Sequence, residues 1–471
     1  MRRGARWLDD RLGAASVART ALAKVFPDHW SFMLGEIALY CFVTLVLTGV
    51  FLTFFFTPGS NPVVYHGAYR PLDGASVSAA YASSVRLSFD VRTGLLMRQV
   101  HHWAALVFLA SIVLHLCRIF FTGAFRRPRE LNWLIGVTLL AMSMFNGFTG
   151  YSLPDDLLSG VGLRIAYSIA LSIPVAGTWV AFLLFGGEFP ADQIIHRLFV
   201  THVLLVPGLL AVLLTAHVGI LVRQKHSQFP GPGRTEHNVV GSKLWPTYAT
   251  RSTALFCAIL AVLFALGGLV QINPIWLYGP FEPSQVSSPA QPDWYIGWVE
   301  GALRMYPPWE FRIAGHLVPN PFVPAVLVPA ATFLLLYLWP FLEQWLDRDQ
   351  EAHQLLDRPR DHPVRCAAGA AALAFYAAML AAASNDVIAK VAHVPVTALT
   401  WAGRTLLLVA PLVAAAVTYV LASALRDSGA EGVMHLSFQQ VRAAVRASLR
   451  RRRPARGARR TAAIAGGSED R

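Results

Sequence analysis

Charge is what this sequence has least of. Asp, Glu, Lys and Arg make up 14% of its 471 residues, where soluble domains carry roughly 25%. Hydrophobic residues reach 55% and the mean hydropathy is +0.47. The shortage excludes a water-soluble globule, and the apolar content excludes disorder for all but the ends. Cysteine is also scarce. Cys41, Cys117, Cys257 and Cys366 form no CxxC pair and no CxxCH signature, which excludes covalent haem attachment and reads as free buried thiols. No Cys/His cluster suited to an iron–sulfur centre is present. The basic start MRRGARWLDDRLG is followed by a mixed segment rather than an apolar one, so no cleavable leader is expected. A repeat of fixed period is lacking too.

What is there in abundance is long apolar runs. Eight, at about 32–56, 98–121, 131–151, 197–222, 252–272, 322–341, 366–383 and 398–424, are long enough to cross a ~30 Å hydrocarbon layer at ~1.5 Å per residue. A ninth stretch, 165–186, is interrupted by Pro174 and Gly177. The positive-inside rule chooses between eight and nine. With eight spans, thirty of the forty Lys and Arg fall on the side of the two termini and seven in the opposite loops; a ninth span would blur that sorting. The expected fold is an all-α integral membrane protein of eight transmembrane helices with both termini cytoplasmic. The net charge of +13 then reports topology. The ten arginines from Arg442 to Arg471 read as a solvated tail touching anionic lipid, and no nucleic-acid role is assigned.

An ionisable side chain at membrane depth is costly and by default functional. The second span carries His101, His102 and His115, and the fourth carries His202 and His217. At about 100° per residue, His101 and His115 fall about 40° short of four full turns and share a face. His202 and His217 fall about 60° past four turns and also share one. His102 points about 140° away from His115 and is read as structural. Each pair is separated by roughly 21–22 Å along its helix. Both spans run from the outer to the inner side, which puts His101 level with His202 and His115 level with His217. Two bis-imidazole centres stacked across the membrane would suit haem iron, with both axial positions closed. Four separate hydrogen bonds to neighbouring helices are the competing account.

Glycines repeat the same interval. Gly35 and Gly49 in the first span, and Gly136 and Gly150 in the third, are each fourteen residues apart, as backbone openings for two flat macrocycles would be. Ordinary helix packing also uses small residues. Arg98, Arg118 and Arg197 lie within five residues of a paired histidine, where they could bond haem propionates or snorkel to the interface.

These residues resemble the cytochrome b subunit of respiratory cytochrome bc complexes, the quinol–cytochrome c reductases, from about Trp30 to the end of the eighth span. RQVH…H (Arg98, His101, His115) resembles the family's second helix and R…H…H (Arg197, His202, His217) its fourth, with the longer spacing of the chloroplast and actinobacterial branches. GYSLPDD at Gly150–Asp156 is similar to the turn after the third helix, and QPDWY at Gln291–Tyr295 resembles the PEWY signature of the quinol-oxidation site. QKHSQFPGPGRTE, VQINPIW and PDWYIGWVEGALRMYPPWEF look like the actinobacterial version. Asp293 stands where many relatives have glutamate. The mitochondrial-type histidine and aspartate of the inner quinone site have no clear counterpart: His226 lies nine residues past His217, and 238–252 contains no aspartate.

The resemblance implies a plasma-membrane subunit that oxidises quinol, favouring menaquinol, at the outer face. Its pocket would be built by 152–196, which would form two surface helices over 165–186, with Tyr151, Gly162 and the loop of Pro292, Asp293, Trp294 and Tyr295. Asp293 is the candidate proton acceptor, a role suited to a carboxylate partly withdrawn from water, and Tyr295 positions it or joins the proton path. One electron would go to a Rieske-type iron–sulfur protein and on to a cytochrome c subunit. The other would cross by two non-covalent b-type haems, outer (His101, His202) and inner (His115, His217), to an inner quinone site near Trp30, Ser31, Lys225 and His226, coupled to proton translocation. A homodimer and an oxidase supercomplex are implied partners. The implied organisation is a cytoplasmic lead-in over 1–31, a four-helix di-haem bundle over 32–240, a four-helix quinone and partner portion over 241–425, and a basic tail over 426–471. Competing readings are a di-haem transmembrane reductase without quinol bifurcation and a haem-free transporter.

Overall fold

A computed structural model describes residues 13–285 and 291–428, with Trp7, Asp9 and Arg11 ahead of them. Most of the expected basic tail, from 429 onward, lies outside the described residues, as does most of 1–12. Eight helices among the described residues are long and apolar enough to cross a membrane: Trp30–Thr53, Gly94–Phe121, Glu130–Tyr151, Ile194–Gln224, Leu244–Leu269, Val323–Asp347, Pro363–Ala383 and Val396–Asp427. They match the eight expected spans, shifted at their ends by up to eight residues. Their outer faces are apolar. Leu408 and Leu412 of span eight are each 72% exposed, which suits hydrocarbon and not water.

Span one packs against span two and span three against span four; span two also meets spans three and five. A core of Cys41, Val100, Ala104, Ile259 and Leu263 joins spans one, two and five, with small residues at the closest approaches, as helix association in lipid favours. Spans seven and eight form a second close pair, and a short helix, Trp294–Met305, lies against span seven.

The connection between spans three and four holds two short helices, Leu157–Leu171 and Gly177–Phe185. Asp156 and Ser159 form a capping box at the first start. This satisfies amides that the helix cannot. The break between the two helices falls at 172–176, around Pro174. Ile195, Leu163, Ala181 and Phe185 bury a common apolar face beneath them. At the opposite end of the bundle, Val25–Phe26 pairs antiparallel with Ser242–Lys243, tying the segment before span one to the loop before span five.

Candidate functional site

Span four is not a uniform helix. Thr201–Leu205 forms a π-helical turn that contains His202. Such a turn adds one residue to the local helix and often marks a functional site. It absorbs the extra residue between His202 and His217, so the fifteen-residue interval matches the fourteen-residue interval of span two.

The rings of His101 and His202 face each other with centroids 6.2 Å apart. Two imidazoles at that separation, with planes 72° apart, could hold one metal ion between them. Second contacts fix the tautomers. His202 Nδ1 lies 2.9 Å from the Asn146 carbonyl oxygen, which only accepts, so Nδ1 carries the proton and Nε2 keeps its lone pair. His101 Nδ1 lies 2.9 Å from Thr48 Oγ1. That hydroxyl donates to the Thr44 carbonyl at 2.7 Å and is left to accept from the imidazole.

Each of the four spaced glycines meets one of the four histidines. A Cβ at Gly35 would lie 3.3 Å from His115 Cε1, one at Gly49 3.3 Å from His101 Cε1, and one at Gly136 3.5 Å from His217 Cε1. A Cβ at Gly150 would collide with the His202 ring. Buried Arg98 Nε, Arg118 Nε and Nη2, and His115 Nδ1 have no hydrogen-bond partner. Buried donors seldom go unpaired. Orphaned guanidinium nitrogens near the span ends, one imidazole pair in contact and a second pair close enough to interact would suit groups with anionic arms and a metal, as haems have. Arg197 differs: it is exposed and donates to the carbonyls of Phe182 and Leu183 at 3.3 and 2.8 Å, closing the end of the second surface helix.

At the end of span two that carries His101 and His102, Asp293 occupies the N-cap of Trp294–Met305. Tyr295 Oη donates to Asp293 Oδ2 at 3.1 Å. Burial, reinforced by the Asp293 charge, holds the Tyr295 phenol well above its ordinary pKa, so it stays a donor. The Tyr295 ring lies against Gly147 of span three, and Gly162 against Tyr151. Tyr151 lies within electrostatic reach of Asp156 and Asp293. Trp294 stands at the rim, 38% exposed, its ring edge-on to Tyr295, and Pro292 precedes the cap. The structure thus brings Tyr151, Gly162, Asp293, Trp294 and Tyr295 to one place.

Three residues escape the sequence reading. His102, read as structural, places Nε2 2.9 and 3.0 Å from the two Asp293 oxygens. Glu300, seven residues beyond Asp293, is raised in pKa by burial against the opposing pull of Arg304. At the opposite end of the bundle, Glu36 of span one accepts from Tyr248 and Ser252 of the fifth-span region and from Tyr40. It supplies a carboxylate near the stretch 238–252, which has none of its own. His226 packs 4.7 Å from Phe26, which stacks on Tyr248 at 4.2 Å. Burial, aided by the charges of Lys24, Arg129 and Arg118, lowers the His226 pKa to about 4, so its imidazole is neutral near pH 7. Ser31 is buried nearby in sequence, whereas Trp30 is 70% exposed and Lys225 is exposed.

A family model described as cytochrome b (N-terminal)/b6/petB matches residues 106–280. The cytochrome bc1 complex cytochrome b subunit of Mycobacterium bovis is 54% identical over 413 residues, 88% of this chain and 75% of that protein. The same subunit is 48% identical over 434 residues in Streptomyces coelicolor, covering 92% and 79%. In Corynebacterium diphtheriae it is 49% identical over 428 residues, covering 91% and 79%. A chain of the solved hyperthermophilic respiratory Complex III superposes with a TM-score of 0.64 at 20% identity, over 88% of this chain and 98% of its own; at that identity the likeness is one of fold.

Proposed function

Since this chain belongs to the cytochrome b subunits of cytochrome bc1 complexes, we propose that it oxidises quinol at the outer face and feeds an inner quinone site across the membrane. The observation that carries the reading is the set of four glycine–imidazole contacts on two levels. A transporter without haem has no use for them, and the Asp293 loop goes beyond what a simple transmembrane reductase needs. When bound, two b-type haems supply the one-electron carriers between the outer and inner quinone sites. His101 and His202 would hold the outer one and His115 and His217 the inner one, with Arg98 and Arg118 toward the propionates. Spans one to four, within 32–240, are then the di-haem bundle, and 241–425 carries the quinone and partner-binding portion.

A quinol leaving two electrons behind must also lose two protons. Asp293 accepts one from a quinol hydroxyl and the second is released to water at the outer face, while the Tyr295 hydroxyl holds the carboxylate and the Tyr151–Gly162 wall keeps the ring in place. One electron leaves to a Rieske-type iron–sulfur protein and then a cytochrome c subunit. At the inner face, His226 and Glu36 are the groups that would bind a quinone. An electron moving inward while protons leave outward stores about 2.3 kcal/mol per charge at 100 mV. Menaquinol is the substrate we favour, and a homodimer in a plasma-membrane supercomplex with an oxidase is the assembly.

A dithionite-reduced minus oxidised spectrum of the assembled complex should show b-type bands; a flat spectrum would remove the di-haem reading. Asp293→Asn should slow quinol-dependent cytochrome c reduction by about 10²-fold, in the range of a lost general base, with the spectrum intact. Turnover equal to wild type would take Asp293 out of the mechanism.

A further inference from the structure

We infer that His102 is a positioning residue of the outer quinol site: it aims the Asp293 carboxylate that receives the quinol proton. An aspartate at a helix N-cap ordinarily turns its side chain back to accept from the second or third backbone amide. Asp293 has the backbone of an N-cap, with φ −53° and ψ 144°, yet its side chain makes no cap bond. The carboxylate is turned toward span two instead. There His102 Nε2–H bridges both oxygens at 2.9 and 3.0 Å, and Tyr295 Oη adds a bond to Oδ2 at 3.1 Å.

The contact is sheltered. The His102 and Asp293 side chains keep 16% and 14% of their exposure, so water competes weakly for either. An ionised carboxylate offers about four acceptor sites. These two donors leave room for a quinol hydroxyl, and they fix the direction from which it must come. His102 follows His101 on the same helix, rotated by about 100°. One imidazole therefore faces the His202 level while its neighbour faces the helix that begins at Trp294. Span two thereby holds the proton-accepting loop in register with the outer histidine pair, and sites fixed to a helix are held more accurately than sites on a loop alone. Aspartate is one methylene shorter than glutamate and cannot swing between partners as freely, which makes a fixed clamp worth more here.

The inference rests on Asp293 being the group that meets the quinol, and the test separates the two. In the assembled complex, His102→Leu, His102→Gln, Asp293→Asn and the double variant His102→Leu/Asp293→Asn are compared. The readouts are kcat and KM for quinol-dependent cytochrome c reduction and the redox difference spectrum. His102→Leu should lower kcat at least tenfold with KM within twofold and both b-type components intact. His102→Gln, whose amide can still donate, should recover most of that loss. The double variant should be no slower than Asp293→Asn, as for two residues that act as a unit. A His102→Leu variant with wild-type kcat, or a double variant in which the two losses multiply, would overturn the inference and leave the quinol site standing. So would loss of the outer b-type component in both His102 variants, which would assign His102 to the iron site. An Asp293→Asn enzyme at full speed would overturn the quinol-site reading itself, and this inference with it.

Discussion

At Gly150 a missing side chain decides whether His202 has room for its ring. Any Cβ there overlaps the imidazole, whereas at Gly136 it would sit at 3.5 Å from His217, an ordinary contact. The two glycines are therefore unequal despite identical spacing logic. Gly150→Ala should abolish the outer b-type component in a redox titration, and Gly136→Ala should leave the inner one near full occupancy; equal effects would contradict the geometry. The histidines and glycines were legible because each pair lies on one helix, where periodicity alone sets the face. His102 and Glu36 were not. Their partners lie 191 and 212–216 residues away, and no local pattern announces a contact between helices so distant in sequence. Arg197 is similar, since its sequence position beside His202 says nothing of the surface-helix carbonyls it meets.

The elements repeat this division. Eight spans could be read from length and charge, and the interruption of 165–186 from Pro174 and Gly177, whereas the two short helices there follow from the family resemblance. The π-helical turn at Thr201–Leu205 could not, because a change in hydrogen-bond register has no residue signature in THVLL. As a regular helix, span four would carry its two histidines about 60° past a common face; the turn removes that mismatch. Deleting Leu204 from the turn should convert it to regular helix at the fourteen-residue interval and retain both b-type components. Deleting Leu213, in the regular part, should rotate His217 by about 100° and lose the inner component. Retention of both components in each deletion, measured by difference spectroscopy, would show that phase is not what the turn corrects.

Across the whole molecule, charge does the sorting that packing does in a soluble protein. Thirty basic residues against seven set the orientation we propose, so a reporter fused after residue 428 should report the cytoplasm and one inserted within 312–316 the outside. The reverse result would invert both quinone sites. Along the membrane normal, the arrangement brings a further consequence for how the protein is made. Spans one and three bring glycine backbone against the four imidazoles. If two flat macrocycles occupy these levels, as we propose, spans one to four would enclose them, and loading would have to precede closure of the bundle. Such a subunit would keep its pigment by enclosure as well as by ligation, so dilution alone should not bleach it.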